Sequence, residues 1–248
     1  MKAVDLFCGC GGMSLGFQNA GFDILEAFDN WDPAVRTYQK NFTHPVRKED
    51  LSDERMISVV SELHPDIIIG GPPCQDFSSA GHRDESLGRA TLSKTYTDIV
   101  TTSRPKYFVM ENVPRIRLSK TYQYVRSELK YAGYGLTEKI IDASFCGVPQ
   151  KRKRLFLVGC LGAEDDFLAN ELDAHLSKKP MSIYDYLGDS LGVEYYFRIP
   201  RSYNRRAIFS IYEPCQTIRG VDRPIPPNYQ RHPKDPVDIG PLVRALTP

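Results

Sequence analysis

Cys74 follows a double proline. In Asp66-Ile67-Ile68-Ile69-Gly70-Gly71-Pro72-Pro73-Cys74-Gln75 an apolar strand runs into a rigid turn that presents the thiol at the carboxyl edge of a sheet. A free cysteine is usually a small buried hydrophobe. This one lies outside the apolar run, with polar Gln75, Asp76 and Ser78 behind it, a placement that favours a nucleophile. A second strand ends in Glu111-Asn112-Val113-Pro114, which points a carboxylate into the same crevice unless the segment is an ordinary surface turn. A third segment, Gln150-Lys151-Arg152-Lys153-Arg154-Leu155, enters a strand. Alternation there sends Gln150, Arg152 and Arg154 to one face and the lysines to the other, consistent with a basic site rather than a solvated tag.

Upstream, Asp5-Leu6-Phe7-Cys8-Gly9-Cys10-Gly11-Gly12-Met13-Ser14 is a strand, a glycine-rich turn and the start of a helix. Glycines let the backbone approach a ligand closely, and a helix N-terminus favours a carboxylate or phosphate. Asp29 closes the next strand, where an acid can hold ribose hydroxyls. Asp50 can accept from an adenine amino group, so the expected ligand is a nucleoside cofactor, unless the glycines make only a structural tight turn. The dinucleotide fingerprint would place a third glycine where Ser14 stands. The five histidines and six cysteines show no zinc spacing, and no metal role is expected.

These groups need elements to hold them. Short apolar runs at Val4–Phe7, Asp23–Phe28, Asp66–Ile69, Tyr107–Met110 and Leu155–Val158 read as buried strands. Helix-like stretches near 13–20, 33–41, 53–63, 95–103 and 120–132 alternate with them. The pattern predicts an α/β, doubly wound, mostly parallel sheet covered on both faces, with ligands beyond the carboxyl ends of its strands. Prolines and tyrosines multiply beyond Gly162, so the expected division is residues 1–160 as a catalytic domain and 161–248 as a loop-rich region. Hydrophobic residues make up 41% and charged residues 25% of the 248, enough for a core and against global disorder. No run approaches the roughly 20 apolar residues of a membrane span. An early acid argues against a signal peptide, and the scattered cysteines suggest a reduced, cytoplasmic protein. Net charge is +1, yet residues 161–197 carry a net −6 and 198–234 a net +6. That asymmetry points to an anionic ligand on the C-terminal part, unless the surface is merely basic.

Taken in order, D-L-F-C-G-C-G-G, G-G-P-P-C-Q, E-N-V and Q-K-R-K-R resemble the motifs of the DNA (cytosine-5)-methyltransferase family over nearly the whole chain. The resemblance implies a Rossmann-like catalytic domain, S-adenosyl-L-methionine as methyl donor and duplex DNA as substrate, in a prokaryotic restriction-modification setting. It implies Cys74 as nucleophile on cytosine C6, followed by Gln75, with Glu111 on N3 and the exocyclic amine. Asn112 would brace the Cys74 loop, and Arg152 and Arg154 would meet the base O2 and the loop backbone. Around the cofactor it implies Phe7 on adenine, Gly9, Gly11 and Gly12 in the turn, Asp29 on ribose and Asp50 on the adenine amine, with Asn30, Leu51 and Pro72 nearby. The ribose acid is often Glu in that family and is the shorter Asp29 here. A thiolate at C6 would make C5 enamine-like, and the target base must leave the helix stack to be reached. Residues 76–94 resemble the family's catalytic loop, with Ser78 and Arg89 as candidate phosphate contacts. Arg198, Arg201, Arg205, Arg206, Arg219 and Arg223 become candidate DNA contacts.

Glu213-Pro214-Cys215-Gln216-Thr217-Ile218-Arg219-Gly220 resembles the distal part of a recognition region, and Val243–Pro248 the opening of the family's penultimate block. The expectation is the larger subunit of a two-chain methylase, completed by a smaller second polypeptide; a truncated product is the rival. Three other readings compete. A tRNA cytosine-5 methyltransferase would carry a Cys-Phe-Thr triplet that is absent from the chain. An NAD-dependent Rossmann oxidoreductase leaves Cys74, Glu111 and the arginines unexplained. A DNA-binding regulator without catalysis would not need Cys74 and Glu111.

Overall fold

Apolar runs and amphipathic stretches resolve into β1 (Lys2–Leu6), α1 (Gly12–Asn19), β2 (Asp23–Asp29), α2 (Asp32–Asn41), β3 (Val46–Lys48), α3 (Arg55–Glu62), β4 (Ile67–Gly70), α4 (Ala90–Ser103), β5 (Tyr107–Asn112), α5 (Lys120–Tyr131) and β6 (Tyr134–Asp142). There follow β7 (Gln150–Lys151), β8 (Lys153–Leu161), α6 (Ala169–Ala174), α7 (Ile183–Leu187), β9 (Tyr195–Phe197), β10 (Ile208–Ser210), β11 (Cys215–Gln216) and β12 (Val243–Ala245). The structure is a computed structural model that describes residues 1–73, 90–198, 205–217, 229–238 and 243–245. Two compact units emerge, one of Met1–Ile140 with Arg154–Leu172, the other of Ile141–Lys153 with Asp173–Pro248. They interleave along the chain, whereas a change of texture in the sequence suggests a single cut near 160.

The first unit is built on a seven-stranded sheet in the order β3-β2-β1-β4-β5-β8-β6. β1 pairs in parallel with β2 and β4, β2 with β3, and β4 with β5, while β8 runs antiparallel to β5. The sheet is therefore the mostly parallel one expected. Alternation along each strand feeds two cores. Val4, Leu6, Ile68, Phe108, Met110, Leu155 and Leu157 pack with Met56 and Val60 of α3, Tyr96, Ile99 and Val100 of α4, and Tyr122, Val125 and Leu129 of α5. The opposite set, Ala3, Ile67, Ile69, Val109 and Val158, packs with Met13 and Phe17 of α1. Each fully buried aliphatic side chain contributes roughly 1.5–3 kcal/mol. α5 shows the helix logic in full: the Ser119 side chain accepts from the Tyr122 N–H to cap it, and Tyr122, Val125 and Leu129 form its buried stripe.

The second unit has a three-stranded sheet, β10-β9-β12, and a parallel pair, β7 with β11. Asp235 organises it, although it is only 3% exposed. Its carboxylate accepts from the backbone N–H groups of Ala207, Ile208 and His232 and from the Tyr229 hydroxyl. Among the described residues, no helix is long and apolar enough to cross a membrane.

Candidate active site

At the carboxyl end of β1 the chain turns through Phe7, Gly9 and Gly11, all with positive φ. For Gly11 the reason is close packing: a Cβ would lie 2.2 Å from the Phe42 ring and 2.9 Å from Tyr38. At Gly9 and Gly12 an added Cβ would meet nothing within 4 Å, so that side of the turn faces open space. Asp29, at the end of β2, accepts from the Gly9 N–H at 2.9 Å and the Trp31 N–H at 2.8 Å. A carboxylate has about four acceptor positions, so capacity remains for hydroxyl donors. Asp50 is exposed and accepts from the Ser52 N–H and hydroxyl. Phe7 is half-buried, Asn30 is exposed, and Trp31 is 63% exposed. Leu51 is 3% exposed and belongs to the main core. An open glycine cradle beside an anchored acid fits a nucleoside cofactor.

Beneath this turn lies a polar network that pattern reading passed over. Asp5 is fully buried and accepts from the Ser14 hydroxyl at 2.6 Å. The Tyr38 hydroxyl donates to Ser14 at 2.7 Å and lies 3.1 Å from His44 Nδ1. Burial pushes the Asp5 carboxyl up to about 7, against the lowering effect of its bond from Ser14. An acid inside an otherwise apolar strand is the sequence signal that could have flagged it, because a buried charge is costly without partners.

The second half of the site gathers at the ends of β4, β5 and β8. β4 closes on Gly70, where a Cβ would sit 2.5 Å from the Leu6 carbonyl oxygen. The following turn passes Glu111, and a Cβ on Gly71 would be 3.4 Å from Glu111 Oε2. The Asn112 side-chain amide donates to the Pro72 carbonyl at 3.0 Å, while its own oxygen accepts from the Val113 N–H at 2.8 Å. Pro72 is buried, and Asn112 is 3% exposed. Glu111 lies opposite Phe156 in the β5–β8 register, so Arg154 is its diagonal neighbour on the same face. Arg154 Nε reaches Glu111 Oε1 at 2.8 Å, and both side chains are about one-quarter exposed (24% and 25%). The expected alternation appears in burial: Gln150, Arg152 and Arg154 are half-buried, Lys151 and Lys153 exposed.

In the second unit, Asp142 Oδ1 accepts from the Arg152 N–H at 3.2 Å and from the Ser144 N–H and hydroxyl. Arg205 is exposed and Arg198 half-buried. Arg206 is committed locally, its guanidinium on Glu213, on the Ile208 carbonyl and over the Phe209 ring. Cys74, Gln75, Ser78, Arg89, Arg201, Arg219 and Arg223 lie outside the described residues.

The family model for C-5 cytosine-specific DNA methylases matches residues 1–211. The chain belongs to this family. Its sheet carries the AdoMet-dependent, Rossmann-like methyltransferase fold, and the enzyme is a DNA (cytosine-5-)-methyltransferase of the restriction-modification type that uses S-adenosyl-L-methionine. The methylase is 54% identical to the type II methyltransferase M.HgiDI of Herpetosiphon aurantiacus, over all of this chain and 80% of that one. It is also 54% identical to M.HindV of Haemophilus influenzae, over all of this chain and 82% of that one. M.HgiGI of H. aurantiacus matches 50% of this chain at 57% identity, over 98% of its own length. Among solved structures, the Dnmt2 methyltransferase of S. pombe superposes with a TM-score of 0.64 at 20% identity. That superposition covers 82% of this chain and 61% of the other, and shows the shared fold.

Proposed function

We propose that this methylase modifies C5 of a flipped-out cytosine within a specific duplex DNA site, through a covalent bond from Cys74 Sγ to C6. The observation that carries this reading is the clustering of Glu111, Arg154 and the Asn112–Pro72 bond around the turn that leads into Cys74. S-adenosyl-L-methionine supplies an electrophilic methyl group when bound. The chain's own residues prepare the base. The Cys74 thiolate adds to C6, and Glu111, carrying a proton, donates toward N3 so that electron density collects at C5. Arg154 orients the Glu111 carboxyl, and Asn112 holds the backbone two residues before the nucleophile. Arg152 is assigned to the base O2, and Gln75 follows the nucleophile in the same loop. After methylation a base removes the C5 proton, and the Cys74–C6 bond breaks.

Gly9, Gly12, Asp29, Asn30 and Phe7 are assigned to the cofactor, with Asp50, Leu51, Gly11 and Pro72 supporting them. Arg198, Arg205, Arg201, Arg219 and Arg223 are assigned to DNA, together with Ser78 and Arg89, in a protein working in a prokaryotic cytoplasm. For Arg206 the contacts within its unit favour a structural part. Residues 1–160 would then be the cofactor-binding catalytic part and 161–248 a partial recognition region. A smaller second polypeptide completing the enzyme belongs to the same proposal.

Duplex DNA carrying 5-fluorocytosine tests the chemistry, because fluorine blocks the final elimination and traps the adduct. Wild type is expected to form a covalent complex in the presence of S-adenosyl-L-methionine, and Cys74→Ser none. Equal behaviour of the two proteins overturns the mechanism. Trapping that requires added native-host lysate supports the second polypeptide, and trapping by the chain alone rejects it.

A further inference from the structure

We infer that Asp5, Ser14, Tyr38 and His44 form a positioning network for the glycine turn, and that entry of the cationic methyl donor draws a proton out of it. The inference rests on assigning that turn to the cofactor.

With Asp5 ionised, the hydrogen bonds have a definite direction. Ser14 donates to Asp5 Oδ2, and Tyr38 donates its only hydroxyl proton to Ser14. The Tyr38 oxygen must then accept from His44, which fixes a proton on Nδ1. Nε2 of His44 and Oδ1 of Asp5 are both buried with no hydrogen-bond partner among the described residues. Burial lowers the His44 pKa, so the ring is neutral and an Nε2 lone pair is what lies unpartnered. When Asp5 takes up a proton, its carboxyl can donate to Ser14. One proton shifts along each bond: His44 Nδ1 gives its proton to Tyr38, Tyr38 gives its own to Ser14 and Ser14 gives its own to Asp5. The proton from solvent is taken up at His44 Nε2, and Nδ1 becomes the acceptor. One proton enters from solvent, and none is lost along the chain.

This network is tied mechanically to the turn. Ser14 lies in the first turn of α1, two residues after Gly12. The Tyr38 and Phe42 rings fill the space where Gly11 would carry a Cβ. Titratable groups acting on Asp5 and its partners are few. Asp29 raises the Asp5 pKa, and Cys8, Tyr38 and Tyr96 each feel Asp5; Asp23 acts on His44. No positively charged group appears among these influences, so a sulfonium near the turn would supply the missing counter-charge. Asp5 then ionises and releases its proton to solvent. The neutral thioether left after methyl transfer lacks that charge and would let the proton return.

Calorimetry of S-adenosyl-L-methionine binding in buffers of different ionisation enthalpy reads the released proton directly. Wild type is expected to release a fraction of a proton near pH 7 and none near pH 9, with less release for S-adenosylhomocysteine. Asp5→Asn should abolish the release. Tyr38→Phe and Ser14→Ala, each removing one hydroxyl, should weaken binding roughly threefold to tenfold, about the effect of one hydrogen bond, and alter the release. These two variants also decide the matter if Asp5→Asn does not fold. Equal release for both ligands overturns the inference, as does unchanged release and affinity in the hydroxyl variants. Gly12→Val and Asp29→Ala separate the two layers. If both leave binding unchanged, the cofactor assignment itself fails; if both weaken it while Tyr38→Phe and Ser14→Ala behave as wild type, only the network fails.

Discussion

Glu111 and Arg154 form an ion pair that solvent still reaches, which suits the proposed part of a carboxyl that would trade partners during turnover. Replacing Glu111 with Gln keeps the shape and removes the proposed proton donor. We expect kcat to fall roughly 10²- to 10⁴-fold, the usual worth of general acid catalysis, with little change in cofactor affinity. Steady-state kinetics paired with binding isotherms check both halves. Arg154→Met should also reduce kcat, whereas Arg154→Lys should restore only part of it, because an ammonium lacks the planar fork of the guanidinium. Asp5 behaves differently. Its carboxyl has a higher pKa in the folded chain, about 7, than the ordinary 3.8. The folded state therefore holds more protons across that interval, and its stability falls as pH rises from about 4 to 7. Urea titrations at several pH values should show this decline in wild type and its loss in Asp5→Asn. Cys74 lies outside the described residues, but Glu111, Asn112 and Arg154 were legible as strand-end residues because their motifs interrupt apolar runs. Asp5, Ser14 and Tyr38 were not, since their connection is made through space between β1, α1 and α2.

Strand ends do the positioning, and two residues there have little latitude. Gly70 admits no side chain beside the Leu6 carbonyl. Gly70→Ala should push β1 and β4 apart and destabilise the first unit by roughly 1–3 kcal/mol, measurable by denaturant unfolding. Asn112→Ala removes a buried bond to the turn before Cys74. A loss of roughly 1–3 kcal/mol is expected, together with a fall in the yield of 5-fluorocytosine adduct beyond what the stability change explains. The strands that carry the candidate site were visible as apolar runs within one or two residues of their true ends, except that β8 continues three residues past Val158. β6 was missed altogether. Tyr134–Asp142 includes Gly135, Thr137, Glu138 and Lys139, so it has neither a continuous apolar run nor clean alternation. It is a strand because it lies at the edge of the sheet, where one ladder of hydrogen bonds suffices and polar side chains are tolerated. α4 starts at Ala90, ahead of the stretch 95–103 that its periodicity marks.

Across the molecule the two units should answer acid in opposite ways. Burial tends to raise the Asp235 pKa, but the Tyr229 hydroxyl and three backbone N–H groups outweigh it and hold the carboxyl below its ordinary range. The stability it gives is complete above about pH 4, near the unfolded value, and is lost as pH falls through the lower folded one. Hydrogen exchange followed at pH 3–4 should therefore show protection lost first in segments 205–217 and 229–238, and Asp235→Asn should blunt that contrast. The interleaving of the units escaped the sequence because a change of texture marks a boundary only where the chain leaves one body for good. Strand order also bears on how the protein is made. β8 lies between β5 and β6 in the finished sheet, yet it is the last of the three to leave the ribosome. Until residue 161 emerges, β5 offers the growing chain an open edge, and β6 has no permanent neighbour. Synthesis thus passes through an interval in which a premature β5–β6 pairing competes with the native order, and a pause in translation just after β6 would lengthen it.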